Sequence, residues 1–328
     1  MKTLAIETSC DETALALIEA KGKGEKTRFK ILAEAIASQI NVHRPFGGVV
    51  PHLAKREHEK NLPIMLEEIK SQVKDFSPDQ IAVTVGPGLE PALWAGVNFA
   101  QELAKKMDLP LIGVNHLEGH VFSNWLEDSE QIKFPAVVLV ISGGHTILLL
   151  MESINKWKKL GETRDDAIGE AFDKVARMLD LPYPGGPEIE KMAHEGDPKA
   201  IKFPRPMIHD KNYDFSFSGL KTSVLYHLRD HKKEVAHVSA SFQEAAFDVL
   251  TKKTLKAVEE FGAKSILLCG GVAANKTLQN RFAEIAKKEG LNFSVPQLKY
   301  NTDNGVMIAV AAHLGKHFPL EADSSLNL

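Results

Sequence analysis

Two distant stretches of the chain share one layout. TLAIETSCDETALALI, from Thr3, and FPAVVLVISGGHTILLLM, from Phe134, each run an apolar strand into a turn of small hydroxyl or glycine residues and out into a second apolar strand. The two have slight identity, so the pattern repeats and the letters do not. Either these are two unrelated hairpins or the chain is an internal duplication, two similar lobes with one such turn each. The remaining pattern is strand–helix alternation. Strands are expected at 2–7, 13–19, 28–38, 80–86, 111–115 and 264–269, and helices at 52–74, 92–107, 166–179, 218–230, 235–261 and 304–317. That alternation predicts an α/β fold. Residues 196–217 show no period and read as loop, and the ending EADSSLNL reads as a frayed tail.

Composition removes several classes. With 44% hydrophobic and 25% charged residues over 328, the chain is neither disordered nor fibrous. Its two cysteines, Cys10 and Cys269, lie too far apart for a CxxC metal site and cannot form a disulfide framework, so a reducing cytoplasm is expected. Acids at Glu7, Asp11 and Glu12 interrupt the N-terminal apolar run, against a signal peptide, and no run reaches membrane-spanning length. The net charge of −3, from 40 basic and 43 acidic residues, provides no global field for nucleic acid. Affinity for RNA would need a local patch, and Lys55, Arg56 and Lys60, or Lys202, Arg205 and Lys211, are the candidates.

Three turns follow apolar strands, at 7–13, 142–146 and 270–275. Such turns expose clustered backbone N–H groups that suit phosphate oxygens. Neither the GxxxxGK[ST] loop nor the GxGxxG fingerprint is present, so a nucleotide would be gripped by separate turns between two lobes. In NHLEGH, His116 and His120 are four apart, on one face of a helix, and follow a strand's carboxyl end. They read as a metal pair or as two surface histidines. A third ligand must come from elsewhere, and Asp303, in NTDNG, is either that ligand or a helix cap. Leu117 follows the first histidine, so the HExxH protease motif is absent. Asp11 is a cap or a carboxylate near phosphates. Asp173 faces solvent or a cleft. Glu188 and Glu190, after a glycine turn, suit ribose hydroxyls or a helix N-terminus.

Read together and in order, IETSCDET, GPGLEPAL, NHLEGH, VISGGHT, GEAFDKVARML, PGGPEIEKMA, FSFSGLKT, GGVAANKTL and NTDNG resemble the TsaD family, the tRNA N6-adenosine threonylcarbamoyltransferases once labelled O-sialoglycoprotein endopeptidases, of the bacterial type. The likeness runs from residue 3 to about 312. It implies an actin-like (ASKHA) fold of two duplicated lobes around a nucleotide cleft, with lobes at 1–131 and 132–302 and a last helix, about 303–318, returning to the first lobe. It implies an acyltransferase that carries threonylcarbamoyl from threonylcarbamoyl-adenylate to N6 of adenine 37 in the anticodon loop of tRNAs reading codons that begin with A, releasing AMP. By motif, His116, His120 and Asp303 would hold one Fe(2+) or Zn(2+). Val140, Ile141, Ser142, Gly143 and Gly144 would wrap the phosphate and acyl-adenylate. Asp173, Gly186, Glu190 and Asn275 would contact the nucleoside, and Asp11 and Glu12 are candidates for the catalytic base. Relatives outside bacteria often carry a tyrosine ligand where Val140 stands, and valine cannot coordinate. The implied partners are TsaB as heterodimer, the ATPase TsaE, a TsaC-type enzyme that supplies the adenylate, and tRNA, with no membrane. A small-molecule kinase or a nucleotide-regulated ATPase module on the same fold is the alternative.

Overall fold

In chain order the elements of the computed structural model are β1 (Lys2–Glu7), β2 (Glu12–Lys21), β3 (Arg28–Ser38), α1 (Ile40–His43), α2 (Pro51–Gln72), β4 (Gln80–Gly86), α3 (Glu90–Met107), β5 (Leu111–Asn115), α4 (His116–Phe122), β6 (Ala136–Ile141), β7 (Thr146–Ser153), β8 (Lys156–Glu162), α5 (Ile168–Met178), α6 (Gly185–Ala193), α7 (Ser218–Asp230), α8 (Val235–Phe261), β9 (Ser265–Cys269), α9 (Lys276–Glu289), β10 (Asn292–Ser294), α10 (Leu298–Asn301) and α11 (Gly305–Leu314). The structure describes residues 1–126 and 132–328. They fall into two compact units, Met1–Glu130 with Pro296–Leu328, and Gln131–Val295.

In the first unit the sheet order is β3-β2-β1-β4-β5, and in the second β8-β7-β6-β9-β10. In each, the first three strands are antiparallel neighbours and the last two join in parallel. The same five-strand order occurs twice, so the repeated layout is a duplication and not a pair of unrelated hairpins. The central strands read as nearly unbroken apolar runs. All seven residues of β4 and all six of β6 (AVVLVI) are buried, as parallel neighbours covered on both faces require. Leu4, Ile6, Leu62, Ile69 and Val97 centre the first core. Leu139, Phe172, Phe242, Phe247 and Phe282 centre the second. Each fully buried side chain of this kind contributes roughly 1.5–3 kcal/mol.

Helix ends follow local chemistry. Glycines in the left-handed region close α8 (Gly262, φ 59°) and α9 (Gly290, φ 66°). Two features depart from the sequence reading. Strand β8, KWKKLGE, lacks the apolar alternation that marks a strand. It is an edge strand, where lysines are favoured because they discourage pairing with another chain. The ending EADSSLNL does not fray. Asp323 N donates to Val85 O (2.8 Å), Asn115 Nδ2 donates to Asn327 O (3.2 Å), and Leu326 packs on the first core. No described helix is long and apolar enough to cross a membrane.

Candidate active site

In the first unit β5 ends at Asn115, whose side-chain oxygen caps α4 by accepting from Leu117 N (2.8 Å) and Glu118 N (3.2 Å). That cap starts the helix at His116, so His116 and His120 share a face with ring centroids 4.7 Å apart. Asp303 joins them. The cap of α11 is Asn304, which accepts from Met307 N (2.9 Å), so the capping alternative for Asp303 is answered by its neighbour. Asp303 Oδ1 lies 3.5 Å from His116 Nε2 and 3.2 Å from His120 Nε2. The three donor atoms all lie within 4.8 Å of one another, and the two aspartate–imidazole distances, 3.5 and 3.2 Å, are ones that a pair of bonds of about 2 Å to a shared ion can span. Neither ring nitrogen of the buried His120 makes a hydrogen bond of good geometry, Nε2 only facing the Asp303 carboxylate at 3.2 Å. A buried polar atom left this way costs free energy, so the orphaned ring fits an ion.

Glu7 completes this arrangement, and sequence reasoning gave it no role. Fully buried at the end of β1, it accepts from Ser9 N (2.5 Å), from Thr84 Oγ1 (2.5 Å) and from His116 Nδ1 (3.2 Å). A carboxylate on Nδ1 fixes the tautomer that leaves Nε2 as a donor to an ion. Burial alone would lower the His116 pKa, but Asp303 and then Glu7 outweigh it and raise it to about 9. Asp11 and Glu12 follow on the turn. Burial raises the pKa of both, and nearby negative charge adds to it, from Asp303 at Asp11 and from Asp11 and then Asp303 at Glu12. Under the turn lies a buried polar network that the sequence did not signal. His58 Nε2 meets Cys10 O (3.0 Å), its Nδ1 meets Thr13 Oγ1 (2.8 Å), and His43 Nε2 meets Gln39 Oε1 (3.0 Å). Glu118 turns away from the histidines to accept from Lys316 N (2.9 Å), and burial raises its pKa to about 7.

The second unit gathers the other predicted residues at the carboxyl ends of the parallel strands β6 and β9. Val140 and Ile141 are fully buried in β6, so only their backbone can reach a ligand. Ser142 begins the turn. Its N donates to His145 O (2.9 Å), and His145 N donates back to Ser142 Oγ (3.2 Å), which leaves Gly143 and Gly144 exposed. Helix α5 starts flush against this turn at Gly169, where a Cβ would come 2.6 Å from Ser142 O and 2.8 Å from Gly143 Cα. Gly169 is a second residue the sequence reading missed. Gly270 (φ 91°) brings the other turn alongside, since a Cβ there would lie 2.8 Å from Ile141 C.

Asp173 Oδ1 accepts from Gly185 N (2.7 Å), which ties α5 to the start of α6 and so places Gly186. Glu190 Oε1 accepts from Lys276 N (2.7 Å), tying α6 to α9. Asn275 caps α9 by accepting from Leu278 N (3.0 Å), and its Nδ2 donates to Gln243 Oε1 (2.9 Å). Asp173, Glu190 and Asn275 thus position the glycine turns through backbone bonds.

A family model described as TsaD, tRNA N6-adenosine threonylcarbamoyltransferase, matches residues 30–310. Curated relatives carry the same description. One from Thermosipho melanesiensis is 49% identical over 316 residues, covering 95% of this chain and 94% of that protein. One from Bacillus cereus is 46% identical over 332 aligned residues, covering 99% and 94%. Among solved structures, HypF of T. kodakarensis matches with a TM-score of 0.65 at 16% identity over 95% of this chain. Component A of the (R)-2-hydroxyglutaryl-CoA dehydratase of Acidaminococcus fermentans matches at 0.52 and 12%, covering 95% of this chain and 98% of that one. The chain spans 47% of the HypF chain's length. At these identities the likeness bears on fold, and the fold is α/β of the actin-like (ASKHA) type.

Proposed function

The chain belongs to the TsaD family of tRNA N6-adenosine threonylcarbamoyltransferases, and from that membership we propose that it moves the threonylcarbamoyl group of threonylcarbamoyl-adenylate to N6 of adenine 37 in tRNAs reading codons that begin with A. A C–N bond forms between the carbamoyl carbon and N6. The bond from that carbon to the phosphate oxygen breaks, AMP leaves, and one proton leaves N6. Adenine N6 is a poor nucleophile because its lone pair is delocalised into the ring. The protein must therefore position the reactants and stabilise developing negative charge.

The observation that carries this reading is the cluster of His116, His120 and Asp303, in which the buried His120 ring makes no hydrogen bond of good geometry. We assign it one Fe(2+) or Zn(2+), held by those three residues with Glu7 fixing the His116 ring. When bound, the ion supplies Lewis acidity toward a phosphate or carbonyl oxygen. Backbone N–H groups of Ser142, Gly143 and Gly144 hold the adenylate phosphate, and Gly186 lets the nucleoside approach the start of α6. Glu190 reaches ribose hydroxyls with Oε2, and Asn275 and Asp173 fix the turns that seat the adenosine. Asp11 and Glu12 are the candidate acceptors of the N6 proton. Burial and neighbouring charge raise both carboxyl pKa values, which makes each a stronger base. The anticodon loop is single-stranded, so its base can be splayed out at modest cost. We assign the reaction to the cytoplasm, with TsaB as heterodimer partner, TsaE as ATPase and a TsaC-type enzyme as source of the adenylate.

The test incubates the purified chain and its TsaB and TsaE partners with threonylcarbamoyl-adenylate and unmodified tRNA, and measures modified adenosine by mass spectrometry. Modified adenosine with AMP release is expected. Phosphoryl transfer from ATP to a small molecule, with no modified nucleoside, would favour the kinase alternative and overturn the assignment.

A further inference from the structure

The second unit holds a groove of about 770 Å³ that contains none of the residues assigned to the metal cluster or the adenylate, and of the basic residues expected from sequence only Lys211. The later half of α8 lines it, with the segment 208–211 and Arg281 of α9. Its charges are not matched. Arg281 is neutralised by Glu244 (2.5 Å) and Asp248 (3.0 Å). Among the described residues, no carboxylate pairs with Lys211, Lys252, Lys253 or Lys256, although Asp210 and Glu259 also line the groove. The ammonium groups on α8 rest on neutral atoms instead. Lys252 Nζ lies 3.4 Å from His209 Nδ1, Lys253 donates to Asn212 O (3.1 Å), and Lys256 donates to Lys211 O. Such contacts orient a cation without cancelling its charge. Lys253 is only 1% exposed, and burial lowers its pKa even though the Asp210 and Asp214 carboxylates, neither in ion-pair contact with it, work the other way. Thr251 Oγ1, also lining the groove, is buried with no hydrogen-bond partner.

We propose that this groove docks the phosphodiester backbone of the RNA substrate, an inference that rests on the function proposed above. In a chain of net charge −3, affinity for a polyanion must be local. Lys252 and Lys256 are one turn apart along α8, and Lys211 faces them from the loop, so the charges form a row that suits successive phosphates. Lysines bind phosphate without reading sequence, as a docking surface for several tRNAs requires. Gln243, bonded to Asn275 of the glycine turns, lies ten residues before Lys253 on the same helix, about 15 Å along its axis. Of the basic residues expected from sequence at 202, 205 and 211, Arg205 drops out. Its guanidinium is bound to Asp248 (3.0 Å) and Phe203 O (2.6 Å).

The experiment measures tRNA binding to the full chain with its partners from 50 to 300 mM salt. The variant is Lys211→Ala/Lys252→Ala/Lys256→Ala, and Lys105→Ala/Lys106→Ala/Lys287→Ala removes equal charge elsewhere. Losing three phosphate contacts should reduce the slope of log affinity against log salt by about 2–3 units. At low salt, affinity should drop at least tenfold, with AMP affinity and melting temperature unchanged, while the control keeps the wild-type slope. If wild type binds tRNA and the groove variant keeps its slope, the groove proposal fails alone. If the control loses as much slope as the groove variant, the effect is global charge and the proposal also fails. If wild type does not bind tRNA, the functional reading fails and takes this one with it. Inorganic phosphate binding to the groove that survives the triple substitution would likewise overturn it.

Discussion

Replacing Glu7 by glutamine keeps the shape of the side chain and removes its charge, with two effects of opposite sign at the metal cluster. Glu7 accepts from His116 Nδ1 at 3.2 Å and so presents Nε2 toward Asp303. Loss of such an outer partner typically weakens metal binding by about 10–100-fold. The same carboxylate also helps raise the His116 pKa to about 9. At pH 7 the ring of the metal-free chain is therefore protonated, and an ion must displace that proton. Two pH units below the pKa, this competition weakens apparent affinity by about a hundredfold. Glu7→Gln relieves part of that competition, because Asp303 alone then holds the proton. Affinity lost through orientation is thus partly returned at pH 7. At pH 9.5 the ring is largely deprotonated in both proteins and nothing is returned. Zinc affinity, measured by competition with a chelator of known strength, should fall by the full 10–100-fold at pH 9.5 and by clearly less at pH 7. Equal losses at the two pH values would refute the proton-competition argument. No loss at pH 9.5 would refute the orienting role of Glu7.

Metal analysis of His116→Ala/His120→Ala should show loss of the bound ion, and retention at full stoichiometry would remove the assignment of those ligands. Burial raises the Glu118 pKa to about 7 from an ordinary 4.5, so its folded form favours the proton. Stability is then highest at low pH and falls as pH rises through 7, after which the deficit is constant. Glu118→Gln should abolish that dependence and raise stability at pH 8 by up to about 3 kcal/mol. A denaturation series showing the same fall between pH 5 and 8 in both proteins would count against it. Gly169→Ala puts a methyl 2.6 Å from Ser142 O, which must displace the turn at 142–146 to which the phosphate is assigned. Calorimetry should record at least a tenfold loss in AMP affinity, whereas Gly144→Val, whose Cβ meets nothing within 4 Å, should fold normally and lose affinity only by shielding the backbone from the ligand.

The sheets were legible because burial on both faces leaves a plain signature. Segments such as AVVLVI can hardly be anything but central strands. Edge strand β8 was illegible for the reverse reason, since a half-exposed edge tolerates lysine. In the site, ligand types were readable and their supports were not. His116 and His120 announce themselves four apart, but Glu7 lies 109 positions from His116, and a buried carboxylate in a strand has no local marker. Asp303 could be read as a cap because Asn304, the true cap, stands beside it. Glu190 reads from sequence as a ribose ligand or a first-turn acid after a glycine turn, and Asp173 as a helix residue facing solvent or a cleft. Their bonds to Gly185 N and Lys276 N join helices that are distant in sequence, and no spacing rule reports such bonds.

The duplication also shows how one layout serves opposite charges. The turns at 7–13 and 142–146 each follow the first strand of a five-stranded sheet of the same order. The first turn carries Glu7, Asp11 and Glu12, and the unit around it adds Asp303. Such negative charge raises the proton affinity of His116 and suits a cation, and it would repel a phosphate. The second turn carries Ser142, Gly143, Gly144 and His145, with no carboxylate, and turns backbone toward solvent. Bare N–H groups there can meet an anion closely because no Cβ intervenes. Under the proposed function the same position in the fold is specialised by side-chain charge, with cation chemistry assigned to the first unit and phosphate binding to the second. An acyl-adenylate reaction needs both, since one group must be polarised while an anionic leaving group is held.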